Sequence, residues 1–215
     1  MTTIQPEQPM DEEARELERT WRSPAGFFGW FTHVNQTSIG KRFIVTGFVF
    51  FLLGGILALL MRWQLASPES TFLSPEAYNQ IFTMHGITMM FLFAIPIMEG
   101  FAIYIVPMML GTRDMCFPRL NAFGYYIYLI AGVGMYASLL LGMAPDAGWF
   151  SYPPLSSASF SPGYGMDFYT TVITFMEISA IVAAIELIAT IFKCKAPGMS
   201  LNRMPLFVWA ILVMS

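Results

Sequence analysis

The sequence predicts an all-α fold, a polytopic transmembrane helix bundle of four complete spans plus the start of a fifth. Three observations carry this. Of 215 residues, 56% are hydrophobic and 12% charged, about half the charged share of a soluble domain. The mean hydropathy is +0.59. The apolar residues gather into runs of about 20, the length that crosses a hydrocarbon core. Eleven Lys and Arg against fourteen Asp and Glu, with no basic tract to neutralise phosphates, exclude nucleic-acid binding. Cys116 and Cys194 are far apart and form no C-x-x-C, so neither a disulfide scaffold nor a zinc site is indicated.

Residues 1–42 read as a cytoplasmic tail, in which Asp11, Glu12, Glu13, Glu16 and Glu18 interleave with Arg15, Arg19 and Arg22. No apolar core follows a basic start, so the stretch is not a cleaved leader; it reads as a short helix or tail at the membrane surface. The bundle is expected over 43–215. Its first span, 43–61, is free of charge and stops at Arg62. The second, 81–110, carries His85, Pro96, Glu99 and Pro107. The third, 123–144, is again uncharged, and the fourth, 168–192, holds Glu177 and Glu186. A fifth run over 206–214 meets Ser215 after nine residues, less than half a crossing, which predicts an incomplete chain. Ten of the basic residues fall on one side of these spans and one, Arg62, on the other. The positive-inside rule then puts the amino terminus in the cytoplasm, with both cysteines near that face as reduced thiols.

His85 lies in the first turns of the second span. An intramembrane histidine is costly unless partnered: it either hydrogen-bonds a neighbouring helix or ligates haem iron, with Gly86 leaving room for a flat macrocycle. Spacing alone leaves both readings open. Arg62, at the same outer side, either snorkels to the interface or donates to the polar edge of a cofactor. Between the second and third spans, Asp114 either caps a turn or collects protons, with Asn121 bonding an entering water chain. Acidic groups inside spans usually face the interior or a proton route. Glu177 and Glu186, nine residues apart, fall on nearly opposite helix faces at about 100° per residue. Glu177 is the expected interior group and Glu186 the one expected near the interface. The seventeen methionines read as adaptable packing. Residues 148–155, with Trp149, Tyr152, Pro153 and Pro154, read as an aromatic interface belt on an extended platform.

Together these stretches resemble subunit I of haem-copper terminal oxidases, the cytochrome c oxidase type. Residues 60–65 around Arg62 look like the end of that family's first helix. Residues 78–86, ending Thr83-Met84-His85-Gly86, are similar to its haem-ligand motif, with Met84 in place of the usual Ala. Residues 114–121 match D-x-x-F-P-R-x-N at the mouth of the D proton channel, 149–155 are similar to W-x-x-Y-P-P-L, and Lys195 to Met199 stands where Arg-or-Lys-Ala-Pro-Gly-Met follows helix four.

The resemblance implies the N-terminal portion of a twelve-helix fold in a bacterial cytoplasmic membrane. It implies an oxidoreductase that passes electrons from cytochrome c through a low-spin haem, type A, to oxygen, coupled to proton pumping. His85 would ligate that haem's iron and Arg62 would contact its edge, while Asp114 and Asn121 would begin proton uptake. The ligands of the high-spin haem and of copper would lie outside this chain, which therefore lacks the binuclear site, and the partners would be subunits II and III. Several positions depart from the family: Val34-Asn35-Gln36-Thr37 replaces Val-Asp-His-Lys, Ala122 replaces a second Asn, Glu177 stands where Gly is common and Glu186 where Asn is common. Glu177 is expected to relay protons in place of a missing polar group. Quinol-oxidising relatives carry Arg, Asp and His where this chain has Leu53, Leu57 and Ala77; only Gln80 of that pocket remains, which favours cytochrome c. The alternatives are a quinol oxidase on the same scaffold and a haem-free transporter or assembly subunit.

Overall fold

The computed structural model describes residues 12–21 and 25–215. Asp11 and Arg22 of the tail lie outside them. All regular elements among the described residues are helical, as expected. The chain forms two compact units, 1–33 and 34–215. The described part of the first contains α1 (Glu12–Trp21), dense in alternating charge, and the short aromatic α2 (Gly26–Thr32).

The second unit is the bundle. Helix α3 (Gln36–Gln64) is followed by α4 (Pro75–Ile87), a π-helical segment (Thr88–Ala94) and α5 (Ile95–Leu110), which run on as one rod. Then come α6 (Pro118–Leu140), α7 (Gly165–Lys193) and α8 (Leu206–Met214). Among the described residues, four helices are long and apolar enough to cross a membrane: Gln36–Gln64, Pro75–Leu110, Pro118–Leu140 and Gly165–Lys193. The chain is an integral membrane protein.

The helices extend past the apolar runs because their ends are set by caps, which hydropathy does not register. The Asn35 side chain accepts from Ser38 N–H at 2.7 Å and so starts α3. Ser74 accepts from Ala77 N–H and Pro75 occupies the first turn of α4. Gly111, at φ +67°, closes α5 in the left-handed conformation. The bundle therefore begins before residue 43. Lys41 and Arg42, expected in the tail, lie inside α3, and Arg42 is fully buried.

Helix α3 packs along α5, and α6 along α7. The first contact is a backbone approach: a Cβ built on Gly40 would lie 2.9 Å from the Gly100 carbonyl oxygen, and one on Gly100 would lie 2.9 Å from Phe43 Cβ. Close approach through small residues is the usual means of helix association in lipid. The rod of α4 and α5 carries its own defect. Pro96 has no N–H to offer the Leu92 carbonyl, and the buried Tyr128 hydroxyl donates to that oxygen at 2.7 Å. Tyr128→Phe removes this donor and is expected to cost about 1–3 kcal/mol, read as a lower Tm of the purified protein; an unchanged Tm would show that the bond contributes nothing net.

Candidate functional site

Two polar regions lie at different depths of the bundle. In the first, His85 Nδ1 lies 2.9 Å from the Gly54 carbonyl oxygen of α3. A carbonyl only accepts, so Nδ1 carries the proton and Nε2 presents its lone pair. This is the arrangement in which a second partner orients a metal-ligating imidazole. The residues around His85 are held tightly. Thr83 is fully buried and its hydroxyl accepts from Gly148 N–H at 2.9 Å, while Tyr169 donates to the Trp149 carbonyl at 2.8 Å.

Gly86 does not serve as room for a macrocycle. A Cβ placed there would lie 2.8 Å from Trp149 Cβ, so the space is taken by the 148–155 loop. That loop is a succession of turns with a cis Pro153-Pro154 bond, not an extended platform. Arg62 is exposed in the last turn of α3, eight residues beyond Gly54 and so about 12 Å along the axis from the level of His85.

The second region lies where α3 begins and α5 ends. Asp114 Oδ1 accepts from Gln36 N–H at 3.0 Å and from Met115 N–H at 2.8 Å, so this carboxylate caps both α3 and its own loop. Asn121, in the first turns of α6, is 2% exposed and its Nδ2 has no partner among the described residues.

The acidic residues of the spans are not arranged as expected. Glu177 is exposed on α7, whereas Glu186 is fully buried, with both carboxylate oxygens lacking a hydrogen-bond partner. Helices α6 and α7 run antiparallel, and α7 turns the Ser179, Val182 and Glu186 face toward α6: Ser179 donates to the Gly124 carbonyl at 2.9 Å, and a Cβ on Gly124 would meet Val182. Glu99, on α5, is 8% exposed and shares a small cavity of about 20 Å³ with Glu177.

From residue 38 to residue 215 the sequence matches the family described as cytochrome c and quinol oxidase polypeptide I. The chain belongs to that family. It is 41% identical over 218 residues to cytochrome c oxidase subunit 1 of Corynebacterium glutamicum, covering 100% of this chain and 37% of that protein. It is 43% identical over 186 residues to cytochrome c oxidase subunit 1 of Bacillus subtilis, covering 86% of this chain and 30% of that protein. The chain thus spans about a third of the length of these curated relatives.

Within this subunit I chain, three features escape sequence reasoning. Arg42 is one: its guanidinium donates to the Tyr126 hydroxyl at 3.4 Å and lies 5.5 Å from the centre of the Tyr125 ring. The signal was its position two turns into a helix that Asn35 caps. The burial of Glu186 is the second.

The third is a disulfide between Cys116 and Cys194, with Cα atoms 6.3 Å apart, where reduced thiols were expected. The α6–α7 hairpin brings these residues together across 78 positions. Cys116 N–H donates to Thr190 Oγ1 at 3.1 Å, and Ala196 N–H donates to the Leu110 carbonyl at 2.9 Å, so the two loops at this end are laced before the sulfurs meet. Alkylation of the denatured chain is expected to label neither cysteine before reduction and both after it; labelling without reductant would remove the assignment. No group of three or more His, Cys, Asp or Glu that would hold a metal ion occurs among the described residues.

Proposed function

We propose that this chain contributes the electron-entry and proton-entry region of a respiratory haem-copper oxidase that takes electrons from cytochrome c and reduces oxygen, working with subunits II and III in a bacterial cytoplasmic membrane, its amino terminus in the cytoplasm. The observation that carries the reading is the His85 to Gly54 hydrogen bond, which fixes Nε2 of a half-buried imidazole inside a span as an available ligand. A haem bound there supplies one-electron transfer. His85 would hold the iron, the low-spin type A haem being the expected one, and Arg62 would be the residue to meet its polar edge. The high-spin haem and copper belong to the whole oxidase.

At the other end of the bundle, Asp114 and Asn121 take up protons. Asp114 is half-buried at the mouth, where capping of α3 holds it in place, and Asn121 is buried beyond it. Glu177 relays protons deeper, beside Glu99. Reduced-minus-oxidised spectra of the purified assembly test the reading as a whole. A low-spin haem band is expected, and a colourless assembly would leave the transporter alternative. In Glu177→Gln, proton pumping per electron is expected to fall; unchanged stoichiometry and turnover would reject that relay.

A further inference from the structure

We infer that Glu186 is the first interior proton-relay residue of this chain, receiving protons from Asp114 across a water held between its carboxylate and the Asn121 side-chain amide. The inference rests on the proton-entry reading above and supplies the step that reading lacks.

Helix register places the groups. Along the antiparallel α6–α7 contact, Ser179 bonds Gly124 and Thr190 bonds Cys116, so Glu186 on α7 falls opposite the stretch between 116 and 124, where Asn121 sits. The groups that act electrostatically on Glu186 are accordingly the Asn121 main chain and the Asp114 carboxylate. These two residues carry three buried side-chain atoms without a hydrogen-bond partner among the described residues: Asn121 Nδ2, Glu186 Oε1 and Glu186 Oε2. One is a donor and two are acceptors. Polar atoms this deeply buried are normally satisfied, and where the protein does not do so a bound water does. A water donates two protons and accepts one, which matches this set.

The depths suit a relay. Glu186 lies seven residues before the end of α7, about 10 Å in from Lys193, whereas Glu177 lies sixteen residues before it, about 24 Å in. Glu99 is eleven residues from the end of α5, about 16 Å in, between the two. By depth, Glu186 and then Glu99 fall between Asp114 at the loop and Glu177. In the first step a proton leaves the Asp114 carboxyl, the bridging water passes one on to Glu186, and the negative charge moves from Glu186 to Asp114, which is reprotonated from solvent.

The test uses the full-length subunit in the assembled oxidase. Glu186→Gln keeps the shape and removes the proton-accepting group. The expected result is a loss of turnover on the order of 100-fold, an unchanged low-spin haem spectrum, loss of a carboxyl band from the redox infrared difference spectrum, and substantial recovery in Glu186→Asp. Turnover within about twofold of the parent, with the carboxyl band retained, would overturn the inference. Should the Gln variant not assemble, Asn121→Ala decides: about 10-fold slower turnover supports the shared water, and parental turnover overturns it. A missing haem spectrum in the parent oxidase would instead sink the underlying function and leave this step without a reaction to serve.

Discussion

In the assembled oxidase, His85→Ala is expected to abolish the proposed low-spin haem absorption and with it electron entry, while the four spans still insert. The effect is expected to be large because, on the proposed reading, the imidazole would lose two bonds. Its Nδ1–H is committed to the Gly54 carbonyl, and its Nε2 is the only part left to bind iron. An outer partner of this kind typically governs metal affinity by 10–100-fold, and the ligand itself by more. Insertion survives because α4 is held through other groups, including the Thr83 bond to Gly148 and the contact of Gly86 with Trp149. The measurement is a reduced-minus-oxidised spectrum of the variant, with membrane-inserted yield as its control. A retained band at normal yield would remove His85 from the ligand set. A lost band with lost yield would place the residue in folding, and Gly86→Val, which drives a side chain into Trp149, would then give the same phenotype.

The second large effect is expected at the α3–α5 contact. Gly100→Leu places a branched side chain where Phe43 Cβ, Ile44 and the Gly40 carbonyl already lie within 2.9 to 3.1 Å of a bare Cβ. The neighbours are backbone and the stems of side chains, so nothing can rotate aside and the helices must separate. Overpacking of this kind costs about 1–3 kcal/mol even where some relaxation occurs. Separation also disturbs Gly54, the partner of His85, because it lies on the same helix as Gly40. The predicted outcome is a sharp fall in Tm and in yield of assembled protein, with Gly100→Ala intermediate. Parental Tm in the Leu variant would mean that the two helices are not in backbone contact. Both helices also carry the polar regions, so the packing defect should lower haem content too, in proportion to lost yield.

The residues proposed for the candidate site stand out in residue order. His85 in its motif, the Asp114 to Asn121 stretch and the terminal Arg62 are local patterns, and a local pattern survives without knowledge of what lies across from it. The errors share a cause. Glu177 and Glu186 sit nine residues apart on one helix, so the sequence shows that they face different ways but not which way is inward. Gly86 has no side chain to announce its neighbour, and Trp149 arrives from 63 positions downstream. Cys116 and Cys194 meet only because α6 and α7 fold back on each other.

By itself, then, the sequence determined that this chain lives in a bilayer, how many of its described helices are long enough to cross it, and which ionisable residues its spans carry. These follow from run length and from the cost of placing a charge in hydrocarbon, both of which are properties of a segment alone. The tertiary structure decided that Glu186 and Arg42 are buried, that Glu177 shares a cavity with Glu99 instead of facing α6, and that His85 spends Nδ1 on Gly54. In water a helix displays its inward face by being apolar there. In a membrane, lipid and protein interior are both apolar, so the spans are hydrophobic all round, and only packing against particular neighbours separates the inside of the bundle from its surface.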